Sequence, residues 1–563
     1  MLKSNMKADL IIKNARVIDV FQNRIIRGNI AIKDGRFIGV GNYSSGKEVI
    51  DINNAYVAPG MTDGHVHIES SFVSPAEFMK CLVARGVTTI IADPHEIANV
   101  CGLDGIKYIL DESEDLKANV FVMLPSSVPA TAFETSGATL LAEDYKDLIK
   151  HERVLGLGEL MNFVGTINRD KDILDKIDLA RSEDKLIDGH SPFVLGKDLD
   201  DYVIAGVQTD HECSTVEEMT ERISRGMYVQ IREGSASKNL ETLIKGVTKD
   251  NISRCFFSTD DRHPEDLIKD GNVDNNVRKA IRLGIDPMDA LKMATINPML
   301  CYRLFDRGAI APNYKADFFI FDDLEDIKAK MVFVAGEKVA EDGRVLVDFN
   351  QKIPETVKSS VRVSGITKEH LRLPLNSDRV NVIKIIKNSL ITEREVCRVK
   401  TKDGFFEFSN DGISKLLVVE RHTGRSTISI GLIKGYDIKK GACGTTVAHD
   451  SHNIIVAGDN DEDILNVINN IISMGGGLSI SSKGQVLDSM PLDIAGLMTS
   501  DTIENVEKNL KRLLKTARGL GIEEGVDPFM TLSFMALPVI PHLKLTDKGL
   551  FDVDKFEIIS IEE

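Results

Sequence analysis

Two histidines spaced two residues apart give the strongest chemical signal in the sequence. His65 and His67 lie in PGMTDGHVHIESS at 59–71, directly after the predicted strand AYVA. Side chains at i and i+2 of a strand point to the same side, so both imidazoles can bind one metal ion. The alternative is a loop with two polar histidines. The neighbouring carboxylates Asp63 and Glu69 favour the metal site.

Further candidate ligands lie at the ends of later predicted strands. They are Glu159 in VLGLGEL, His190 in LIDGHSP, His211 in VQTDHECS and Asp260 in CFFSTDDRHP. Histidine and carboxylate ligands without cysteine suit Zn(II), Fe(II) or Mn(II) better than a structural thiolate zinc site. Together with the first pair, they exceed the needs of one tetrahedral metal, so we predict two divalent cations. A carboxylate at Glu159 could bridge them, and paired metals convert water to hydroxide near neutral pH.

Polar residues at two other strand ends can be interpreted in two ways. They are Asp93, His95 and Glu96 in ADPHEIANV, and Arg232, Glu233 and Ser235 in MYVQIREGSAS. The first set either caps a helix and forms a surface His–Glu pair, or orients or adds metal ligands. The second set is either a salt-bridged rim or a substrate contact, because Arg, Glu and a flexible backbone can recognise the edge of a heterocycle.

The elements that must position these residues change along the chain. Short β-branched runs fill residues 1–57, and strands alternate with helical stretches through 58–310. That alternation indicates βα units around a parallel sheet, with chemistry at the strand ends. Strand patterns return at 311–354, so the β module is predicted to be split by the βα region. Residues 355–563 have the mixed pattern of a separate α+β domain.

Composition excludes several classes of protein. The 563 residues are 42% hydrophobic and 28% charged, with a formal net charge of −17. This is globular composition, and the acidic balance argues against binding nucleic acid or anionic membrane. No run of about 18 apolar residues occurs, which predicts no membrane span. The seven unpaired cysteines and an N-terminus without an apolar signal core predict a cytoplasmic protein.

The C-terminal region contains a further polar segment, VAHDSHNIIVAG, with His449, Asp450 and His452. One interpretation is a turn with surface polar residues. The other is a loop that reaches over the barrel mouth, either as a lid or as an additional metal site. The sequence leaves both alternatives open.

The motifs in combination resemble one family. HVHIESS, DPHEIANV, DGHSP, DHECS, IREGSA and STDDRHP are similar to the bacterial-type adenine deaminases of the metal-dependent amidohydrolase superfamily. The similarity continues through GTTVAHDSHNIIVAGDN to ALPVIPHLKLTDKGLFD, over nearly the whole chain. The resemblance implies a distorted (β/α)8 TIM barrel inserted in a composite β-sandwich, with a C-terminal α+β domain. It also implies that the protein hydrolyses adenine to hypoxanthine and ammonia in purine salvage, using two Mn(II) or Fe(II) ions, and we expect a homo-oligomer.

The resemblance also implies roles for individual residues. His65 and His67 would hold one metal, His190 and His211 the other, and Glu159 would bridge them where many relatives use a carboxylated lysine. Asp260 would touch a metal, accept a proton from the hydroxide and deliver it toward the leaving ammonia. Glu233 or Glu96 would protonate the adjacent ring nitrogen, and the sequence does not choose between them.

Two enzymatic alternatives and one non-catalytic alternative remain. A cyclic-amide hydrolase should have the bridging lysine at the GLGEL strand, which is absent, and an arginine for a substrate carboxylate, which Arg232 leaves open. Another aminopurine or aminopyrimidine deaminase would share the same scaffold. A non-catalytic metal-binding barrel should have lost ligands, but His65, His67 and Asp260 are all present.

Overall fold

A nine-stranded sheet combines the two segments that flank the barrel in sequence. The computed structural model describes residues 7–409 and 411–563. The strands of this sheet are Ala8–Asp19, Arg24–Lys33, Arg36–Gly41, Gly46–Asp51, Tyr56–Pro59, Phe318–Phe321, Met331–Val334, Glu337–Glu341 and Arg344–Val345. Phe318–Phe321 pairs antiparallel with Tyr56–Pro59, which joins the two segments. The strand Tyr56–Pro59 also continues past residue 57, where the sequence predicted the end of the first β segment.

Eight parallel strands form the barrel that carries most of the candidate residues. They are β1 (Met61–His67), β2 (Val87–Ala92), β3 (Asn119–Leu124), β4 (Val154–Leu160), β5 (Leu186–Gly189), β6 (Thr209–Asp210), β7 (Tyr228–Arg232) and β8 (Cys255–Ser258). The short strand Asp260–Asp261 continues β8 and pairs with β1, which closes the circle. Sheet pairing is interrupted between β5 and β6, where a single bond from Gln208 N to Ile187 O spans 3.0 Å. This is the distorted (β/α)8 barrel that the resemblance implied.

Burial explains why these segments are strands. Every residue of β2 (VTTIIA) and of β4 (VLGLGEL) is buried. Parallel strands covered on both faces are continuous β-branched or aliphatic runs of this kind. The candidate ligands His67 and Glu159 lie at or near the carboxyl ends of their strands.

Helices follow the barrel strands and cover their outer face. They are Pro75–Val83, His95–Cys101, Leu103–Glu112, Ala142–Tyr145, Phe163–Asn168, Lys171–Ser182, Gly196–Ile204, Val216–Ser224, Leu240–Leu243, Pro264–Lys269, Val273–Arg282, Pro287–Ala294 and Ile296–Cys301. Hydrogen bonds from capping residues define where several of these helices begin. Ser74 accepts a hydrogen bond from Glu77 N ahead of the Pro at the first helical position, and Thr215 and Glu218 form a capping box.

The C-terminal domain contains an eight-stranded sheet and three α-helices. Its strands are Arg379–Ile385, Thr392–Arg398, Ile413–Val419, Ile428–Lys434, Ala442–Thr445, Ile454–Gly458, Gly477–Ser482 and Gln485–Pro491. Its helices are Asp461–Met474, Ile503–Gly519 and Pro528–Ser533. Two smaller sheets comprise Thr401–Lys402 with Phe405–Phe406, and Leu543–Thr546 with Gly549–Asp552 and Glu557–Ile559.

The C-terminal domain packs directly on the barrel. Thr499 N donates to Phe72 O at 2.8 Å, and Ile503 N donates to Glu77 Oε1 at 3.2 Å. These contacts place the domain against the segment that follows β1. In the described part of the chain, no helix is long and apolar enough to cross a membrane.

Candidate active site

The two histidines of β1 lie beside the carboxylate at the last barrel strand. His65 and His67 have their Nε2 atoms 3.3 Å apart, and His67 Nε2 is 3.0 Å from Asp260 Oδ1. Pairing between β1 and Asp260–Asp261 brings these side chains together. The i, i+2 spacing therefore brings both rings to the same side of β1.

Glu159 at the end of β4 lies between two groups of histidines. Its Oε1 is 3.3 Å from His67 Nε2, whereas its Oε2 is 2.8 Å from His190 Nδ1 and 3.2 Å from His211 Nε2. One oxygen of the carboxylate thus faces each group. This is the arrangement that a carboxylate bridging two cations requires.

The donor set fits divalent metal ions of the kind that the sequence predicted. Donor atoms of His65, Glu159 and His211 lie within 4.8 Å of one another, as do those of His65, His67 and Asp260. His67 Nδ1 lies 2.9 Å from the carbonyl oxygen of Asp93, which can only accept a hydrogen bond. The proton of His67 is therefore on Nδ1, and Nε2 keeps a free lone pair directed into the cluster.

Asp260 is held in an unusual backbone conformation between a cation and the histidines. Its φ is +59°, a left-handed value that Asp tolerates better than most residues. Arg232 NH1 donates to its Oδ2 at 2.6 Å, while its Oδ1 faces His67. Burial alone would raise the pKa of Asp260, but the neighbouring Arg232 guanidinium has the largest opposing effect, and that pKa lies well below its ordinary value. Asp260 is therefore an anion with one oxygen directed at the candidate metal ligands.

Two further carboxylates, which the sequence analysis did not single out, belong to the cluster. Glu212 Oε1 lies 3.6 Å from both His190 Nδ1 and His211 Nε2, and Arg232 binds Glu212 through bonds of 2.5 and 2.9 Å. Asp188 Oδ2 lies 3.3 Å from His65 Nδ1. Both lie within motifs that contain a predicted ligand. Glu212 directly follows His211, and Asp188 precedes His190 by two residues.

Asp93, His95 and Glu96 extend the cluster beyond the candidate metal ligands. Asp93 Oδ2 accepts a hydrogen bond from Glu159 N at 2.8 Å. His95 lies between two carboxylates, with Nδ1 3.2 Å from Glu159 Oε1 and Nε2 3.5 Å from Glu96 Oε1. All three residues are buried, so the alternative of a surface His–Glu pair does not hold.

The C-terminal domain contributes the other contacts of Glu96. His449 Nδ1 lies 2.7 Å from Glu96 Oε1, and His452 Nε2 contacts Glu96 Oε2. His452 is buried and His449 is only 12% exposed in its side chain. The loop that carries them therefore reaches the barrel mouth, and the alternative of a surface turn does not hold.

Glu233 and Ser235 are not among the residues that the structure brings together at the metal cluster. Glu233 Oε1 accepts a bond from Lys279 Nζ at 2.7 Å, on the helix Val273–Arg282 outside the barrel. Ser235 Oγ donates to Asp266 Oδ2 at 2.5 Å and accepts from His263 N at 2.8 Å. Ser235 instead lines the cavity described next.

A cavity of about 240 Å³ lies between the barrel mouth and the C-terminal domain. Its lining includes Glu69, Phe72, Glu96 and Ser235 from the barrel, and His449 and Phe534 from the C-terminal domain. Aromatic and aliphatic side chains form much of the wall, and a few polar groups converge on it. Small-molecule sites combine these two features.

Two family models and several known proteins match this chain. Residues 56–343 match the amidohydrolase family, and residues 389–557 match the adenine deaminase C-terminal domain. An adenine deaminase of Clostridium acetobutylicum is 49% identical over 98% of this chain and 97% of its own length. One of Nitratidesulfovibrio vulgaris is 47% identical over 100% of this chain and 98% of its own length. A crystal structure of an adenine deaminase is 19% identical, with a TM-score of 0.46, covering 59% of this chain and 99% of that one.

Proposed function

The chain belongs to the adenine deaminases of the amidohydrolase family, and on that premise we propose that it hydrolyses adenine to hypoxanthine and ammonia. One observation carries the proposal. Glu159 directs one oxygen to each of two histidine groups, and His95 connects it to Glu96, which lines a cavity shared with the C-terminal domain. The alternative of a cyclic-amide hydrolase loses support, because Arg232 binds two carboxylates of the site and does not face the cavity as a free cation.

We propose that the site holds two divalent cations, Mn(II) or Fe(II). His65 and His67 would hold one, His190 and His211 the other, with Glu159 between them and Asp260 beside the first. The borderline hardness of imidazole and carboxylate donors supports this choice of metals. When bound, such a pair would lower the pKa of a water molecule and so supply a hydroxide nucleophile near neutral pH.

Asp260 is proposed as the proton shuttle. Arg232 fixes one of its oxygens, which leaves the other directed at the position of the attacking water. Because its pKa is held low, Asp260 is ionised before the reaction and can accept the proton of the nucleophile. It then returns that proton to the departing amine, as base and then acid.

The cavity supports adenine as the substrate. Adenine is flat, aromatic and uncharged, and Phe72 and Phe534 offer it apolar wall surface. Of the two carboxylates predicted near the ring nitrogen, Glu96 lines the cavity, whereas Glu233 is bound to Lys279 outside the barrel. We therefore propose that the Glu96 side of the cavity faces the reacting edge of the purine.

The domain boundaries, the oligomeric state and the cellular location are proposed as well. We propose three structural units: a β module from 1–57 and 311–354, a barrel from 58–310, and a C-terminal domain from 355–563. We further propose a homo-oligomer that acts in the cytoplasm.

The decisive experiment measures ammonia and hypoxanthine after adenine is added to protein loaded with Mn(II) or Fe(II). Adenosine, cytosine and dihydroorotate serve as control substrates. We expect stoichiometric ammonia and hypoxanthine from adenine alone. Absence of product from adenine in metal-loaded protein would refute the proposal, and faster turnover of dihydroorotate would favour a cyclic-amide hydrolase.

A further inference from the structure

The contacts of His452 determine which of its ring nitrogens carries the proton. Its Nδ1 lies 3.1 Å from the backbone N–H of Ala448, which can only donate. Nδ1 must therefore provide a lone pair, and the proton of the neutral ring is on Nε2, where it meets Glu96. A ring in this state cannot ligate a metal through Nε2 without losing its one N–H proton. His452 is therefore a hydrogen-bond donor to Glu96, which argues against a third metal site here.

His449 binds the same carboxylate with its other nitrogen. Its Nδ1 donates to Glu96 Oε1 at 2.7 Å, and in the described part of the chain its Nε2 has no hydrogen-bond partner. The ring packs against Phe534 with centroids 4.6 Å apart and lines the cavity. Nε2 is therefore the nitrogen of this His–Glu pair that remains available to a ligand.

The loop that carries both histidines is held in place from the C-terminal side. Arg421 donates through Nε to the carbonyl oxygen of His452 and through NH2 to Ala495 O at 3.0 Å. His422 Nε2 donates to Ser451 O at 2.7 Å. His449 N also donates to Ser533 O at 2.9 Å, so backbone bonds fix the loop at both histidines, as a proton-transfer group requires.

We propose that His449 is a catalytic residue that the C-terminal domain supplies to the barrel, donating a proton from Nε2 to the ring nitrogen beside the amine-bearing carbon of adenine. Glu96 orients His449 through Nδ1, and His452 positions Glu96. This inference rests on the proposed adenine deamination and assigns the acid that Glu96 and Glu233 were candidates to provide. It also gives the C-terminal domain a chemical role.

The proton balance of the step closes with water as the only co-reactant. A water gives up one proton to the surrounding solvent as its oxygen forms a bond to the amine-bearing carbon, and the ring nitrogen takes the Nε2 proton of His449. The carbon–amine bond then breaks with its electron pair on nitrogen, and Asp260 transfers the remaining hydroxyl proton to that nitrogen. Ammonia leaves, the ring nitrogen keeps its proton in hypoxanthine, and the proton first lost by water restores His449.

The charges around His449 favour its protonated form. Glu96 faces it from the helix His95–Cys101, Asp261 from the strand end after β8, and Asp450 from its own loop, while His263 and His452 are the nearby imidazoles. Burial lowers the pKa of His449, but the carboxylates outweigh burial and raise it to about 9. Burial together with His449 and Arg421 lowers the pKa of His452 to about 4, despite Glu96, so that ring is neutral.

The test compares His449→Gln with His542→Gln at saturating adenine. Glutamine keeps a hydrogen-bond donor but cannot transfer a proton, so kcat should fall by about 100-fold or more. His542 is the matched control because it also pairs with a carboxylate, Asp554, but is exposed, and its variant should keep parental kcat. Metal content and melting temperature are measured on each variant.

Two pH and rescue measurements exclude a purely structural role. The parent kcat should decline as pH rises through about 9, because the acid is lost, and His449→Gln should lack that decline. Added imidazole should restore part of the activity of His449→Ala. A kcat within threefold of parent in His449→Gln overturns the inference, and so does a parent profile without the alkaline decline, even if the variants fail to fold. Failure of the parent to deaminate adenine would instead refute the proposed function.

Discussion

The barrel and the C-terminal loop each contribute a group of histidines, and His67 and His452 show how the two groups differ in what an Nδ1 atom contacts. In the barrel, Nδ1 of His67 faces a backbone carbonyl oxygen, so Nε2 is a free lone pair suited to a metal. In the C-terminal loop, Nδ1 of His452 faces a backbone N–H, so Nε2 carries a proton suited to a carboxylate. The same side chain thus becomes a ligand or a donor through one hydrogen bond to the main chain.

The two groups meet through a continuous chain of polar contacts. Glu159 contacts His95, His95 contacts Glu96, and Glu96 is bound by His449, so the predicted bridging carboxylate is linked to the C-terminal domain. Because the two groups differ in which ring nitrogen carries the proton, one is suited to bind cations and the neighbouring one to donate protons. Glu96 is an anion because the charge of His449 opposes the effect of burial, and the pKa of Glu96 lies well below its ordinary value.

Removal of divalent cations should have the largest effect and tests the comparison directly. Chelation should reduce adenine turnover below detection, and about two equivalents of Mn(II) per chain should restore it, since paired metals activate the nucleophile. Titration with activity and bound metal as readouts checks this. Full recovery at one equivalent would contradict the paired site. A tightly bound third equivalent that disappears in His452→Gln would contradict the donor role of the loop.

Asp260→Asn should have the next largest effect. The amide cannot accept and return a proton, so kcat should fall by about 10³-fold, within the usual range for general acid–base groups. Bound metal should remain at two per chain, because the histidines and Glu159 are unchanged. Turnover and metal content are measured on the same preparation. Parental kcat in this variant would contradict the shuttle, and loss of metal would make Asp260 a required ligand.

A smaller effect should separate the two carboxylates predicted to act on the ring nitrogen. Glu96→Gln should lower kcat by about 10- to 100-fold, because a hydrogen bond to a charged group contributes roughly 1.5–3 kcal/mol. Glu233→Gln should stay within about threefold of parent, because Glu233 binds Lys279 outside the barrel. Steady-state kinetics measure kcat for both variants and show which carboxylate contributes to turnover. A larger loss in Glu233→Gln than in Glu96→Gln would reverse the assignment.

We expect a substitution of Lys544 to have the smallest effect on turnover. This buried lysine contrasts with the paired charges of the barrel. This lysine is fully buried, donates to Leu390 O at 3.1 Å, and has its pKa lowered by burial to about 7. The unfolded chain therefore binds more protons between about pH 7 and 10, so this residue makes stability rise with pH across that window. Lys544→Met should flatten that rise and raise the melting temperature at pH 6, with kcat unchanged.

Calorimetry across this pH window checks the Lys544 prediction. The exposed Lys548→Met is the matched control and should keep the parental slope. An equal slope in parent and Lys544→Met would mean that the buried lysine keeps an ordinary pKa.

The sequence was sufficient to predict most of the barrel site because strand geometry is local. The two-residue period places His65 and His67 on one side of β1, and polar residues at the ends of parallel strands meet at one edge. The same period explains the position of Glu233. It follows Arg232 directly, so when Arg232 points into the barrel, Glu233 points outward to Lys279.

What the sequence by itself determined is the order of elements, the strand-end motifs and the types of residue available for metal binding and proton transfer. The tertiary structure alone decided that Glu96 would meet His449 and His452, which are more than 350 residues away in the chain. It also decided which nitrogen of each histidine is free. Both depend on how the C-terminal domain packs against the barrel and on individual backbone contacts, and neither follows from the spacing of residues along a strand or helix.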